Sequence, residues 1–161
     1  MTPTVHASAV LVGATAVLIR GPAGAGKSRV VMQMLTAAQV GLFKFARLVA
    51  DDRVVLTAAH GRLIARPPPE LAGLIEVRGL GIHHMTYEPA AVVSLVLDLA
   101  DNTAERMPGP GNQHTEIAGI TLPRVSAGPG VDPLLIVAAA LETLEQPISS
   151  GAAVQNRHSL R

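Results

Sequence analysis

Residues Gly21-Pro22-Ala23-Gly24-Ala25-Gly26-Lys27-Ser28 fit the pattern G-x-x-x-x-G-K-[ST] and follow a short apolar run, residues 16–19, that reads as a strand. Glycines at this spacing let consecutive backbone N–H groups turn inward around an anion. Lys27 adds a point charge suited to β- and γ-phosphates, and the Ser28 hydroxyl can hold Mg²⁺. The loop then opens a helix whose N-terminal dipole faces the same phosphates. Lys27 and Lys44 are the two lysines of the whole chain, so a lysine-rich composition did not generate the match. The whole stretch, Gly21 through Ser28, reads as a nucleotide-phosphate site.

A chain of 161 residues is the size of one domain with room for a sizeable core. Hydrophobic residues make up 48% of it but aromatics 2%, so the core is expected to consist of Ala, Val, Leu and Ile in layered α/β packing. Thirteen basic and twelve acidic residues, spread along the chain, give a formal charge of +1. That balance leaves no electrostatic footprint for nucleic acid or an anionic membrane. The chain has no cysteine, which excludes disulfides and cysteine-based metal or nucleophile chemistry and is compatible with a reducing compartment. Cytoplasm is the expected location. No run of about eighteen apolar residues suggests a membrane span. The apolar stretch 7–19 has no Lys or Arg before it, is broken by Gly13 and runs into the phosphate loop, so it does not read as a secretory leader.

Val10-Leu11-Val12 and residues 16–19 flank Gly13-Ala14 as two strands around a tight turn. From Lys27, the positions Val30, Val31, Met34, Leu35 and Ala38 recur with helical spacing, and Gly41 sits where a helix C-cap belongs. Three further strands are expected at Leu48-Val49-Ala50, Val54-Val55-Leu56 and Leu63-Ile64-Ala65. Pro67-Pro68-Pro69 marks a loop that excludes helix and sheet interior. A strand resumes at Ile75, before Gly79 and Gly81 force an irregular backbone, and Ala91–Leu99 is the longest strand candidate. Residues 101–113 read as a mobile surface loop, and residues 116–122 as a hairpin around Gly119. Asp132-Pro133 reads as an N-cap and first-turn proline for an amphipathic helix through Leu134, Leu135, Val137, Ala138, Leu141 and Leu144. Residues 1–146 are expected to form one domain and 147–161 a flexible tail. Strands outnumber helices and several are joined by turns, which argues against a doubly wound parallel sheet.

Phosphoryl transfer needs positioned phosphates, a metal, a proton acceptor and positive charge. Asp51-Asp52 ends an apolar strand, where burial of either carboxylate is costly, so both are expected at a strand tip within reach of a metal or a substrate hydroxyl. A solvated turn is the plainer alternative. Glu76 and Arg78 alternate with Ile75 and Val77 and should share one face, with a structural salt bridge as the competing role. His60 reads as a turn residue, and His83-His84 as loop residues without a third metal ligand.

In this order, His6-Ala7-Ser8, the 21–28 loop, Leu48-Val49-Ala50-Asp51-Asp52 and Leu74-Ile75-Glu76-Val77-Arg78-Gly79-Leu80-Gly81-Ile82 resemble the catalytic domain of bacterial HPr kinase/phosphorylase. The stretch Ile75 to Ile82 is the most diagnostic, since it closely matches the family signature E-[IV]-R-G-[LIV]-G-I. The resemblance covers the chain from about His6 to Leu141 and lacks the family's usual N-terminal domain, as in a short form containing the kinase domain alone. It implies a phosphoenolpyruvate-carboxykinase-like phosphate-loop fold with a β-rich mixed sheet and a C-terminal helix. It also implies a hexamer, and ATP- and Mg²⁺-dependent phosphorylation of a serine on the phosphocarrier protein HPr, in regulation of carbon metabolism through the phosphotransferase system. Carried over by motif, His6 would help bind phosphate and tune the carboxylate, Lys27 would neutralise β/γ charge, and Ser28 and Glu76 would hold Mg²⁺. Asp52, with Asp51 beside it, would accept the proton, and Arg106 would be the catalytic arginine. The family also dephosphorylates by phosphorolysis. Where it has a proline-rich loop bearing arginines, this chain has Ser126-Ala127-Gly128-Pro129-Gly130-Val131, which keeps Pro129-Gly130 but lacks the arginines and should bind phosphate or phosphoserine less well. The readings left open are a non-catalytic nucleotide sensor and a small-molecule kinase or ATPase on the same loop.

Overall fold

The computed structural model describes residues 3–101 and 107–145. Among them are ten strands and two α-helices. The chain enters through β1 (Ala7–Val12) and turns at Gly13 into the antiparallel β2 (Thr15–Arg20). The 21–28 loop leads into α1 (Lys27–Gln39), followed by β3 (Ala46–Ala50), the hairpin β4 (Val55–Ala59) and β5 (Arg62–Arg66), and the hairpin β6 (Leu74–Val77) and β7 (Gly81–His84). The long β8 (Ala91–Leu99), β9 (His114–Ile117), β10 (Ile120–Ala127) and α2 (Pro133–Glu145) complete the described chain.

Eight strands form one mixed sheet in the order β3-β1-β2-β8-β10-β9, with β5 also paired to β8 and carrying β4 beside it. The pairs β2–β8 and β8–β10 are parallel and the others antiparallel. The expected departure from a doubly wound sheet is therefore observed. β6 and β7 form a separate two-stranded ribbon.

Alternation along the central strands divides the core between the two sheet faces. Val10, Val12, Val17, Ile19, Leu95, Leu97 and Leu99 pack with Val30, Val31 and Met34 of α1 and with Val137 and Leu141 of α2. Ala7, Ala9, Ala16, Leu18, Val93 and Val96 join Leu63 and Ala65 in a second cluster. The largest fully buried side chains are Leu, Ile, Met and Val, as the low aromatic content requires.

Two β-bulges break this alternation where the site needs it. Ala16 pairs with Val93 but Val17 with Leu95, so Ser94 is an extra residue. Before it β8 pairs with β5, and beyond it with β10. Likewise Ala9 pairs with Ala50 but Val10 with Leu48, which leaves Val49 extra in β3. Leu48 faces the helix side, and Val49 and Ala50 both belong to the opposite cluster. The residue that follows, Asp51, is thereby returned to the helix side, across from Ser8. Without the bulge it would face away from α1.

Three sequence expectations change. Pro69–Leu71 forms a short 3-10 turn rather than plain loop, with proline in the first turn, where its missing N–H is harmless. His83 and His84 lie on β7, not on a loop. A turn at residues 77–80, closed by the Leu80 N–H donating to the Val77 carbonyl at 2.9 Å with Gly79 at φ +89°, sends the chain straight back as a strand. Within 101–113, Pro110–Asn112 is a 3-10 turn. Arg106 and the tail 147–161 lie outside the described residues.

The C-terminal ends of β2 and β8 and the middle of β10 are joined by charge. Arg20 grips Asp98 with two bonds, Nε to Oδ1 and Nη2 to Oδ2, both 2.8 Å. Arg124 Nε also donates to Asp98 Oδ2. Its Nη2 reaches Asp101 Oδ2 at 2.8 Å, its Nη1 the Asn112 carbonyl at 3.0 Å, and its backbone N–H the Gln113 carbonyl at 2.8 Å. Arg124 thus holds both ends of the 101–113 segment. Burial alone would raise the Asp98 carboxyl, but the bonds and charges of Arg20 and Arg124 outweigh it and hold the group below its ordinary value. Burial would likewise lower Arg124, and Asp98 and Asp101 raise it instead.

A depressed folded-state value means that Asp98 contributes stability above the unfolded carboxylate value of about 3.9, and loses it as the pH falls through the lower folded value. Urea denaturation across this range should show the wild type losing stability with acidification. Asp98→Asn should be less stable at neutral pH and lose less on acidification.

Candidate active site

Arg20 ends β2, and the next residue opens the loop in a place too tight for a side chain: a Cβ on Gly21 would meet Ala25 Cβ at 3.1 Å and Leu99 Cβ at 3.2 Å. Gly26 caps α1 at φ +96°, a backbone that glycine adopts without strain. The first turn of α1 carries no acidic residue, so its positive dipole end is not offset by its own side chains. Lys27 is buried, and its Nζ donates to the carbonyls of Gly21 at 2.8 Å and Pro22 at 3.1 Å.

Opposite the loop, β3 delivers Asp51 and Asp52, and the structure separates their environments. Asp51 is 4% exposed. The expectation that both carboxylates stand open at the strand tip is corrected by the donors around it. The Ser8 hydroxyl donates to Oδ1 at 2.7 Å, the Ser28 hydroxyl lies 2.8 Å from both oxygens, and the Glu76 N–H points to Oδ2 at 3.3 Å. A carboxylate supplied this way tolerates burial. Asp52 stands in the open, with its side chain 67% exposed. It sits at φ +66° at the apex of a γ-turn closed by the Arg53 N–H and the Asp51 carbonyl at 2.8 Å. Such a turn is strained in a non-glycine residue. His6 Nε2 lies 3.1 Å from Asp52 Oδ1, so the imidazole donates to the carboxylate.

A cavity of about 520 Å³ brings these groups together. The loop from Ala23 to Ser28 lines one side, and His6, Asp52, Glu76, Val77 and Arg78 line the other. Arg29 and Met32 of α1 complete the wall. Glu76 ends up in the cavity because Ile75, its neighbour on β6, is buried under α1 and points the other way. Arg78 lies one residue past the strand, in the turn, so simple alternation does not place it, yet it still lines the same cavity. Leu80 and Ile82 are exposed, and His83 and His84 do not line the cavity.

The oxygens of Ser28 and Glu76 suit a hard cation such as Mg²⁺, which keeps waters and phosphate oxygens and needs few protein ligands. With its proton directed at Asp51, Ser28 has lone pairs left for such a cation. Among the described residues no cluster of three or more His, Cys, Asp or Glu forms a protein-only metal cage.

The sequence reading assigned no role to Ser8 or to the Arg20–Asp98–Arg124 network. A charged residue closing each of two apolar strands, Arg20 and Asp98, was the available signal. It becomes informative only with the parallel pairing that sets them side by side.

The profile described as HPr Serine kinase C-terminal domain matches residues 1–156. The chain belongs to the HPr serine kinase C-terminal domain family. Among its relatives, the HPr kinase/phosphorylase of Clostridium beijerinckii is 32% identical over 148 residues, covering 84% of this chain and 46% of that protein. That of Clostridium botulinum strain Eklund 17B is 30% identical over 171 aligned residues, covering 96% and 54%. The chain thus spans about half the length of these relatives. The structure of the HPr(Ser) kinase/phosphatase from Coxiella burnetii superposes with a TM-score of 0.71 over 88% of this chain and 90% of that one, at 22% identity. This family domain therefore shares the α/β fold of that protein. Among its described residues no helix is long and apolar enough to cross a membrane.

Because three donors converge on Asp51, Asp51→Ala should leave the buried Ser8 hydroxyl and the half-buried Ser28 hydroxyl without their acceptor and cost about 1–3 kcal/mol. Thermal melting of the variant checks this, and an unchanged midpoint would contradict it.

Proposed function

We propose that this domain is an ATP-dependent protein serine kinase acting on an HPr-like phosphocarrier protein. The observation that carries the reading is a single cavity with a phosphate-binding loop on one wall and an exposed carboxylate, braced by an imidazole, on the other.

In this proposal the 21–28 amides and the α1 N-terminus hold the triphosphate, and Lys27 turns from its loop carbonyls to the β/γ charge. The acceptor serine oxygen attacks the γ-phosphorus, the bond to the β–γ bridging oxygen breaks, and ADP leaves. Asp52 takes the serine proton as the new bond forms, and His6 orients that carboxylate. Mg²⁺, held by Ser28 and Glu76, would when bound neutralise charge on the phosphate oxygens. Asp51 serves as the buried support of Ser28. Arg78 offers positive charge within the cavity, and Arg106 is the arginine that the family resemblance adds.

Phosphorolysis, in which inorganic phosphate attacks phosphoserine to release pyrophosphate and a protonated Asp52 returns its proton to the serine, should be the slower direction. The segment 126–131 has no cation, and Arg124 beside it is engaged by Asp98 and Asp101. A cytoplasmic setting and a hexameric assembly belong to the same proposal, and sedimentation of the purified chain tests the latter.

Incubation with labelled ATP and the host's HPr-like proteins should place label on serine. Asp52→Asn should slow transfer by roughly 10²–10⁴-fold while ATP still binds. Rapid ATP turnover without a protein acceptor would overturn the protein-kinase reading, as would transfer that survives in Asp52→Asn. Pyrophosphate release from the phosphorylated carrier should be much slower than the forward reaction.

A further inference from the structure

Ser8 lies within β1 between Ala7 and Ala9, fully buried. A hydroxyl in such a place costs free energy unless it is bonded, and alanine would suit the packing equally well. The hydroxyl has one proton to give and lone pairs to receive. Its proton goes to Asp51 Oδ1 at 2.7 Å, and its oxygen accepts the backbone N–H of Asp52 at 3.4 Å, the long end of such a contact.

These bonds extend a continuous path across the site. Ser28, at the phosphate loop, bonds to Asp51, Asp51 to Ser8, and Ser8 to the amide of Asp52. The last link touches the strained γ-turn that presents the Asp52 carboxylate. Turns of this kind persist where their surroundings hold them.

We infer that Ser8 is a positioning residue that keeps the Asp52 carboxylate in register with the phosphate loop. This rests on the proposed phosphoryl transfer. Loss of the hydroxyl leaves Asp51 with Ser28 and the Glu76 N–H, so the phosphate side of the cavity keeps its support. The turn at Asp52 loses its amide anchor, and the carboxylate drifts from the line of attack. The consequence is a selective loss of turnover without a loss of nucleotide binding.

Ser8→Ala should lower kcat roughly ten- to hundredfold, the scale of a misplacement of about an ångström, with KM for ATP nearly unchanged. Ser8→Thr, which keeps the hydroxyl, should recover most of the activity. Independently of catalysis, the Asp52 amide should exchange its hydrogen at least about tenfold faster in Ser8→Ala than in the wild type, as expected when a bond worth about 1.4 kcal/mol is lost. Should Ser8→Ala fail to fold, Ser8→Cys serves in its place, because a thiol is a weak donor and acceptor and should show the same losses. A folded Ala or Cys variant with wild-type kcat and unchanged Asp52 exchange overturns the inference, and so does a variant that raises KM alone. A wild-type chain that binds ATP but phosphorylates no serine contradicts the proposed function instead. The amide exchange still decides the role of Ser8.

Discussion

Burying the Asp51 carboxylate between β1, the start of α1 and β6 is tolerable because hydroxyls from Ser8 and Ser28 and the Glu76 N–H converge on it. Each donor comes from a different element, so satisfying one acid fixes three parts of the chain relative to one another. The phosphate loop is held against the strand that carries Asp52. The ribbon that carries Glu76 and Arg78 is docked where both line the cavity. An unpaired charge at this depth would cost far more than any single packing contact in the domain.

The geometry behind that acid is a one-residue bulge in β3. Val49 and Ala50 both serve the cluster away from the helices, and Asp51 is turned back toward α1. A second bulge at Ser94 lets β8 exchange β5 for β10 as its partner. The parallel strands that result are tied by Arg20, Asp98 and Arg124, with Arg20 immediately before Gly21, so the rim from which the 21–28 loop emerges is braced by charge.

Much of this was legible in the residues. The strand, glycine turn and helix around Lys27 follow from local chemistry, as do the strands expected at 48–50, 54–56 and 63–65 and found at 46–50, 55–59 and 62–66, and the capped C-terminal helix, in which Asp132 Oδ1 accepts the Leu134 N–H at 2.9 Å. The bulges were not legible, because Leu48-Val49-Ala50 and Leu95-Val96-Leu97 are apolar runs buried without a break and carry no polar alternation to betray a change of face. The different fates of Asp51 and Asp52 were hidden for the same reason: adjacent carboxylates look alike until the register decides which one meets Ser8 and Ser28. β7 was hidden by Gly79 and Gly81, which read as a break, whereas Gly79 sits in the turn and Gly81 opens the returning strand. The ion network depends on Arg20 meeting Asp98 across 78 positions and Arg124 meeting Asp98 across 26, beyond the reach of local periodicity.

The central claim is that one cavity holds a nucleotide's phosphates on the 21–28 amides and faces them with Asp52. A crystal structure with magnesium and a non-hydrolysable ATP analogue tests it most directly. The account predicts phosphates cradled between Gly21 and Ser28, Lys27 withdrawn from the Gly21 and Pro22 carbonyls toward them, and the Asp52 carboxylate directed at the terminal phosphate while Asp51 stays buried against Ser8. Phosphates bound elsewhere, or Asp52 turned out of the cavity with the nucleotide in place, would contradict it.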